Sequence, residues 1–504
     1  MNIVLVVSDT FRYKNLSCYG PTPVKTPHLD RFAQGAYVFD NAYLGSFPTI
    51  PNRLDIMTGR FSFIDHEWCP LPKDAVTVQQ ILSASGFVTQ LIADNPHLID
   101  RGLNYERGFD GWEWIRGQET DRWRTAPKNV KLPAGSHKLR NPYSEFLNHL
   151  RNTAWWRSEE DRFVARTVTT ACRWLEENRD QDKFFLHVDL FDPHEPWDAP
   201  KQYVDLYDPD YRGEDVSYPR YDFWQGFLTE EELNHTRALY MAEASLVDHW
   251  FGVLLERINE LDLTGDTAVI FASDHGFLFG EHDLLGKALI SPERGFYETT
   301  RMYDEIRRIP LMIRLPGQAT GQRIHSLVQA PDLMPTILEM AGLVATEMIA
   351  GEAKIQKLQC GIFDTKHWQF EPASLHGRSL VPLMRGEGVR LRDIVVCSNT
   401  LIHHTPILAK CAIVTEDGWC LHYAGTYGEE GHDAAMLTSR FTDPGLVRAP
   451  TGPALFYLPG DPGESTDVAD SREGLVREIH ERYVHWLEEV GTPPEHLRGR
   501  RRLR

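Results

Sequence analysis

The apolar residues of this chain fall into two kinds of run. Short continuous runs rich in β-branched and aromatic residues predict strands over residues 3–8, 87–93, 184–190, 267–273 and 309–315. Stretches with an apolar residue every three or four positions predict helices over residues 26–35, 76–84, 161–178, 229–259 and 332–342. Strands and helices therefore follow one another along most of the chain.

After residue 386 the pattern changes. Short strands are predicted over residues 394–398, 411–415, 419–423 and 455–458, and a closing helix over residues 468–490. We therefore place a domain boundary near residue 386, which divides the chain into domains 1–385 and 386–494. Residues 495–504 form a basic tail that we expect to be disordered. An arm onto an acidic neighbouring subunit, in a homo-oligomer, is the alternative.

Composition narrows the function classes. The 504 residues carry a net charge of −19, which argues against a nucleic-acid-binding surface, so an anionic substrate would need a local pocket of positive charge. No run of 18 apolar residues occurs, and the N-terminus lacks the features of a signal peptide, so we expect no membrane span. The seven cysteines form no CxxC pair, and a cytoplasmic location is expected.

The most informative stretch lies around Thr49, Pro51 and Arg53. Pro51 fits the first position of a helix, because it needs no N–H there. Thr49 would then lie at or just before the helix N-terminus, which favours an anion, and Arg53 would offer a planar fork for a tetrahedral oxyanion. This combination fits an enzyme that attacks phosphate or sulfate esters. The alternative is a threonine cap and a surface arginine.

Two predicted strands end in residues that can bind a metal. Asp9 and Thr10 follow the first strand, and Asp274 and His275 follow the strand over residues 267–273. If these strands are neighbours, both ends can converge on one divalent ion. The alternative is a turn aspartate that caps the next segment.

Three further residues lie in positions that are common for site residues. His97 follows Pro96 and is predicted on a loop at a strand end. His194 lies in a rigid turn between two prolines, and Lys287 lies in a predicted loop over residues 280–287, from which it can reach an anion. The Trp-rich stretch over residues 112–156 is interpreted as an insertion that walls the substrate pocket or, more commonly for aromatic residues, packs onto the core.

Taken together and in this order, these residues resemble the sulfatase family of the alkaline phosphatase superfamily. The landmarks lie at residues 3–9, 25–31, 51–60, 185–187, 192–196, 273–276, 280–282, 286–287, 309–314, 332–336, 377–380 and 461–464. The resemblance implies an alkaline-phosphatase-like α/β/α sandwich with a large mixed sheet. It also implies a smaller C-terminal domain with a short antiparallel sheet and a closing helix.

The resemblance also implies roles for individual residues. One divalent ion, of Ca, Mn, Mg or Zn, would be bound by Asp9, Asp274 and His275, with Thr10 as a fourth candidate. The anionic ester and its leaving oxygen would be held by Arg53, His97, His194 and Lys287. Thr49 stands where a sulfatase carries the cysteine or serine that becomes formylglycine. Asn95 stands where a sulfate-contacting lysine is expected.

Several departures from the sulfatase pattern favour phosphorus chemistry. Thr49 is a secondary alcohol, whose oxidation gives a ketone and not the aldehyde of formylglycine. Thr10 replaces a second metal-binding aspartate, and the pair Asp274-His275 replaces Asp-Asn. The phosphonate monoester hydrolases and related phosphodiesterases of this superfamily have a neutral residue after the first aspartate and an Asp-His pair.

We therefore expect a metal-dependent phosphoester hydrolase that acts on a small anionic ester, with Thr49 as its nucleophile. The alternatives are a sulfatase that works without formylglycine and a sulfatase-like binding protein that has lost turnover. Asp9 and Asp274 are expected within about 5 Å of each other. A second zinc ion is not expected, although suitable residue types are present at Asp189, Asp192, His194 and His282.

Overall fold

The computed structural model describes residues 1–291, 296–343, 375–388, 390–402, 410–424 and 452–503. Its strands are β1 (Asn2–Ser8), β2 (Tyr37–Tyr43), β3 (Val88–Ala93), β4 (Gly111–Trp114), β5 (Phe184–Leu190), β6 (Asp222–Phe223), β7 (Thr267–Ser273), β8 (Leu278–Phe279), β9 (Leu284–Gly286), β10 (Ala288–Ser291), β11 (Phe296–Thr299), β12 (Leu311–Arg314), β13 (Gln322–Gln329), β14 (Ile394–Ser398), β15 (Lys410–Thr415), β16 (Trp419–Ala424) and β17 (Ala454–Tyr457). Its α-helices are α1 (Pro27–Gln34), α2 (Thr49–Thr58), α3 (Val78–Ala84), α4 (Pro96–Ile99), α5 (Glu145–Thr153), α6 (Phe163–Asn178), α7 (Lys201–Val204), α8 (Glu230–Glu260), α9 (Asp304–Arg307), α10 (Leu333–Met340), α11 (Val381–Met384), α12 (Glu473–Glu489) and α13 (Pro494–Leu497).

One eight-stranded sheet, in the order β13-β2-β12-β7-β1-β5-β3-β4, forms the centre of the fold. β12 runs antiparallel to both of its neighbours, and the other strands run parallel to one another. β1, β5 and β7 are buried along their whole length, which explains their continuous apolar runs. The α/β fold with a large mixed sheet is confirmed.

Helices cover both faces of this sheet, as the side chains of β1 illustrate. Ile3, Leu5 and Val7 pack in one cluster with residues of α3 and α10, while Val4 and Val6 pack in a second cluster with residues of α6 and α8. Alternate residues of a strand face opposite sides, so both faces are buried. Each buried valine or leucine contributes about 1.5–3 kcal/mol relative to an exposed one. Within the described chain, we find no helix both long and apolar enough to cross a membrane.

The C-terminal strands form a four-stranded antiparallel sheet in the order β14-β15-β16-β17, as expected. On one face of this sheet Val395 belongs to the same hydrophobic cluster as Ile3, and on the other face Val396 packs against α12. Ser46 and Ser398 form a parallel bridge that joins this sheet to the loop before α2. The boundary near residue 386 therefore runs through a shared core, and the domain limits stay a prediction.

The basic tail is packed and not disordered, contrary to expectation. α13 begins at Pro494, and both Leu497 and Arg500 are buried. His480 Nε2 donates a hydrogen bond to the carbonyl of Arg500 at 2.8 Å, and Tyr423 donates to the carbonyl of Arg502 at 2.5 Å. Leu503 also packs on the hydrophobic cluster that contains Leu497, and Arg501 pairs with Glu488 at 2.7 Å. These contacts depend on distant parts of the chain, so the basic composition of the tail does not reveal them.

Two strands at one edge of the large sheet, β2 and β13, are not predicted by the apolar pattern. β2 contains Asp40 and Asn41, and β13 begins with the exposed residues Gln322 and Arg323. Arg323 pairs with Asp40 across the two strands. β13 is the edge strand and β2 lies next to it, so both are less completely buried than the central strands and lack their long apolar run. The segment over residues 280–287, expected to be a loop, contains β9.

A buried ion pair connects α9 to the segment that follows the C-terminal sheet. Arg307 Nη1 donates to both carboxylate oxygens of Glu464, at 2.8 and 2.9 Å, and His422 Nε2 lies 2.7 Å from Glu464 Oε1. Burial raises the pKa of Glu464, but the charge of Arg307 and the hydrogen bond from His422 lower it well below its usual range. Cys420 completes a cluster whose ligand atoms lie within 4.8 Å, but Arg307 already supplies positive charge there.

We expect Glu464→Gln to lower the free energy of unfolding by about 3–5 kcal/mol, because buried Arg307 loses the nearer of its two counter-charges, Glu464 and Asp304. The pKa of Glu464 is lowered by folding, so its contribution is present above the unfolded value near 4.5 and is lost as pH falls. The difference between variant and wild type should therefore shrink on acidification. Denaturant unfolding at neutral and acidic pH measures both effects.

Glu473→Gln is the matched control for this variant. It removes a carboxylate from an exposed pair with Arg477, and such pairs contribute little. Equal destabilisation by the two substitutions would contradict the assigned role of the buried pair.

Candidate active site

The two aspartates predicted to bind a metal lie side by side. β1 and β7 are adjacent and parallel with Ser8 opposite Ser273, so Asp9 and Asp274 both follow at the same edge of the sheet. Their carboxylates and the imidazole of His275 have ligand atoms within 4.8 Å of one another, and all three residues are fully buried. The predicted proximity of the two carboxylates is confirmed.

Thr10 holds these carboxylates in place. Its Oγ1 donates to Asp9 Oδ1 at 2.8 Å, and its N–H donates to Asp274 Oδ1 at 2.9 Å. The backbone of Thr10 has a φ of 62°, which β-branched residues rarely adopt, so its contacts must stabilise a strained turn. Thr10 therefore orients both carboxylates, and its role as a metal ligand stays a prediction.

The hydroxyl of Thr49 lies against this cluster. α2 begins at Thr49, so Pro51 is the third helical residue and not the first, which corrects the expected register by two residues. Thr49 is 1% exposed, and its Oγ1 lies 3.4 Å from His275 Nε2. The hydroxyl is thus placed at a helix N-terminus and beside a candidate metal ligand, as the sequence predicted.

The loop before α2 is fixed by a buried carboxylate. Asp55 accepts hydrogen bonds from the N–H and the hydroxyl of Ser46, both at 2.7 Å, and from the N–H of Ser62 at 2.7 Å. Glycine is required at position 45, because a Cβ on Gly45 would lie 2.4 Å from Asp55 Oδ2. These contacts set where Thr49 enters the helix.

Arg53 lies one turn into α2 and contacts three carboxylates. Its Nε and Nη2 donate to Asp189 at 3.1 Å each, and its Nη1 contacts Asp274 and lies 3.0 Å from Asp9 Oδ2. The planar fork expected to face an oxyanion is therefore engaged by Asp189. Nη1 is the part of Arg53 nearest to the candidate metal ligands, and its contact with substrate stays a prediction.

This cluster lacks positive charge. The carboxylates of Asp9, Asp189 and Asp274 face the cations of Arg53 and Lys287, and Asp9 Oδ2 accepts no hydrogen bond within the described chain. Burial and repulsion from Asp274 raise the pKa of Asp9 well above its usual range. A divalent cation between the candidate ligands would supply the missing positive charge. The residues present therefore fit the expected ion.

Lys287 connects two histidines of the site. Its Nζ lies 3.2 Å from His275 Nε2 and 2.9 Å from His194 Nε2. His194 Nδ1 donates to the carbonyl of Glu195 at 2.6 Å, which leaves Nε2 as the acceptor for Lys287. Burial, together with the charge of Lys287, lowers the pKa of His194 well below its usual range, and burial lowers the pKa of His275 to about 3. Both imidazoles are therefore neutral at neutral pH.

His97 lies in the short helix α4 and not on a loop, because Pro96 suits the first turn of a helix. Its Nε2 lies 3.0 Å from Glu119 Oε2. The ring of Phe191 contacts His97 and stacks on His194, with centroids 5.7 and 4.2 Å apart. His97 and His194 therefore share a contact with Phe191, but the carboxylate beside His97 is Glu119 and not one of the candidate metal ligands.

Asn95 is buried and both ends of its amide are engaged. Its Oδ1 accepts the N–H of His97 at 3.0 Å, and its Nδ2 donates to Asp189 Oδ1 at 3.2 Å. The residue therefore caps α4 and supports the carboxylate that binds Arg53. Its contact with substrate stays a prediction.

Asp189 and Glu119 belong to this site but were not assigned to it from the sequence. Asp189 had a usable signal, because it and His187 are polar residues two positions apart in an otherwise apolar strand, so they share one face. No such signal marks Glu119, since the Trp-rich insertion shows no helical or strand periodicity. The insertion does wall the site through Glu119, while some of its tryptophans stack on arginines, as Trp123 does on Arg124.

The residues considered for a second zinc ion have separate partners. Asp189 binds Arg53, Asp192 accepts hydrogen bonds from Gln118 and the N–H of Val164, and His282 stacks on Tyr303. One metal per chain stays a prediction.

The family model described as Sulfatase matches residues 1–343, more than half of the chain. This chain belongs to the sulfatase family. The matched residues include all the candidate ligands and Thr49, so the site described above lies within the family's shared core.

Several relatives in sequence are sulfatases. An ulvan-active sulfatase of Formosa agariphila is 27% identical, over 70% of this chain and 63% of that protein. An arylsulfatase of Clostridium perfringens is 26% identical, over 69% of this chain and 76% of that protein. The chain thus matches less than two thirds of the length of the first of these relatives.

Solved structures with the same fold include phosphonate monoester hydrolases. The enzyme of Agrobacterium radiobacter gives a TM-score of 0.67, and that of Silicibacter pomeroyi gives 0.68. Each is 20% identical, and each match covers 97% of this chain and 96% of that chain. At this identity the likeness shows the fold alone.

We expect Asp9→Asn and Asp274→Asn each to reduce bound metal from about one divalent ion per chain towards none, because each removes an anionic oxygen ligand. Elemental analysis of protein purified without chelators measures this. Asp192→Asn is the control, since this buried carboxylate is bound by Gln118 and is not a candidate ligand. Two ions per wild-type chain, or full metal content in Asp274→Asn, would contradict the assignment.

Proposed function

We propose that this sulfatase-family chain is a metal-dependent hydrolase of small anionic esters that favours phosphoesters, with Thr49 as an unmodified nucleophile. The observation that carries the proposal is the position of the Thr49 hydroxyl, at the first residue of α2 and 3.4 Å from His275 in the buried carboxylate cluster. A hydroxyl between a helix N-terminus and a cation site is well placed to attack an anionic ester.

The proposed reaction consists of two successive displacements at phosphorus. A divalent ion held by Asp9, Asp274 and His275 would lower the pKa of a nearby hydroxyl and polarise an ester oxygen. Thr49 gives up its hydroxyl proton to solvent, its Oγ1 attacks phosphorus in line, and the leaving oxygen departs with a proton, which gives a phospho-threonine. Water then attacks this phosphorus, breaks the bond to Thr49 and restores its hydroxyl.

Lys287 is the proton donor that the geometry supports best for the leaving oxygen. Its ammonium donates a hydrogen bond to His194 Nε2 at 2.9 Å, and it lies 3.2 Å from His275 Nε2, the atom that would bind the ion. His194 is a neutral acceptor because its other ring nitrogen donates to the carbonyl of Glu195. His194 therefore orients the proton on Lys287, and Lys287 also neutralises charge on the transferred group.

Threonine favours phosphorus over sulfur in this scheme. Formylglycine releases sulfate by collapse of an aldehyde hydrate, and a threonine cannot form that hydrate. Its ester must instead be cleaved by water at the central atom. The shared fold with phosphonate monoester hydrolases supports the phosphoester preference, while the sulfatase relatives support the alternative of a sulfatase without formylglycine.

We expect Thr49→Ala to abolish turnover of the best phosphoester while metal content survives, because the nucleophile is lost and the ligands remain. Thr49→Ser keeps a hydroxyl and should retain part of the activity. Nitrophenyl esters of phosphate, phosphonate, phosphodiester and sulfate, assayed with added metals, measure this. Wild-type turnover by Thr49→Ala, or faster cleavage of the sulfate than of every phosphoester, would refute the proposal.

Lys287→Ala should slow esters with poor leaving groups far more than nitrophenyl esters. Loss of a general acid costs about 10²–10⁴ in rate, and a nitrophenolate needs little protonation. Hydrolysis rates across aryl and alkyl esters of one phosphorus acid measure the effect, with the nitrophenyl ester as internal control. An equal loss for all leaving groups would assign Lys287 to binding alone.

A further inference from the structure

Glu119 belongs to the insertion over residues 112–156, and its buried carboxylate has an unusual set of partners. Oε2 lies 3.0 Å from His97 Nε2, while Oε1 accepts hydrogen bonds from Arg140 at 3.0 Å and from the hydroxyl of Tyr218 at 2.8 Å. Its backbone has a φ of 35°, which residues other than glycine rarely adopt. Such strain persists where the surroundings hold the residue, and it often marks functional sites.

The carboxylate of Glu119 decides which nitrogen of His97 carries a proton. Burial would raise the pKa of Glu119, but the hydrogen bond from His97, together with the charge of Arg140, lowers it well below its usual range. An ionised carboxylate can only accept, so His97 Nε2 must be the N–H that faces it. Nδ1 of His97 is then the atom left to exchange a proton or to bind the ester.

The need of Arg140 for a counter-charge does not explain why Glu119 lies beside His97. Arg140 already binds Glu195 at 2.6 Å and lies over the rings of Tyr218 and Tyr221. It therefore has a counter-charge without Glu119. Through Arg140, the insertion also connects the carboxylate beside His97 to the residue that follows His194.

We propose that Glu119 is a positioning residue for His97, fixing its Nε2–H tautomer and its orientation in the active site. The inference rests on the proposed function, because it gives His97 a part in that reaction. A carboxylate that holds the tautomer of a catalytic histidine is a recurring device, and replacing it by an amide keeps the shape but reverses the tautomer.

Glu119→Gln tests this directly, because a glutamine amide can donate to Nε2 and favour the Nδ1–H form. The ring nitrogens of His97 are observed by NMR in protein labelled with ¹⁵N-histidine, with His97→Gln used for assignment. We expect the Nε2–H form in the wild type and its loss in Glu119→Gln. Glu145→Gln is the control, since Glu145 also contacts Tyr218 but forms no ion pair or hydrogen bond with a histidine among the described residues. An Nδ1–H form in the wild type would overturn the inference without any variant.

Kinetics separate positioning from a merely structural role. We expect Glu119→Gln to reduce kcat/KM for the best phosphoester by about 10- to 100-fold, and the double variant with His97→Gln to be no slower than His97→Gln alone. Additive losses, or wild-type activity in Glu119→Gln, would overturn the inference. The NMR result does not depend on turnover, so an inactive wild type with the expected tautomer would refute the proposed function and leave the contact between Glu119 and His97 established.

Discussion

The site depends on one buried contact, between Arg53 and the carboxylates of Asp9, Asp189 and Asp274. Three adjacent strands, β5, β1 and β7, carry these acids to one edge of the sheet, where like charges repel strongly because little water screens them. Arg53 offsets this repulsion, and its Nε and Nη2 donate hydrogen bonds to Asp189. Since Arg53 belongs to α2, the same contact fixes the helix that begins at Thr49.

The chain builds the remaining geometry with short, strongly constrained segments. Thr10 turns the backbone after β1 and donates hydrogen bonds to both candidate metal ligands, and Asp55 fixes the loop that leads to Thr49. The large sheet and the segments next to it thus supply the three carboxylates, Arg53, the hydroxyl of Thr49 and Lys287. The insertion adds Glu119 and Arg140, which approach the same centre from another side. The candidate metal ligands and the contact of Glu119 with His97 therefore come from different parts of the sequence.

Much of this was predictable where local physics decides the outcome. β1, β5 and β7 are buried on both faces, so their apolar runs marked them, and the acids after β1 and β7 followed from the strand ends. Edge strands, the packed tail and the contacts of Glu119 depend on partners distant in sequence, which no local pattern encodes. The helix start at Thr49 was misplaced because Pro51 is also tolerated at the third helical position.

The balance of charge bears on the substrate that the site would accept. Asp189 accepts hydrogen bonds from two nitrogens of Arg53, and Asn95 is neutral where a lysine is expected from the family pattern. Lys287 and a bound divalent ion would then be the main positive charges that remain for an ester. A group with one negative charge, such as a phosphodiester or a phosphonate monoester, needs less compensation than a dianionic phosphate monoester. Under the proposed function, the electrostatics therefore favour monoanionic phosphorus esters.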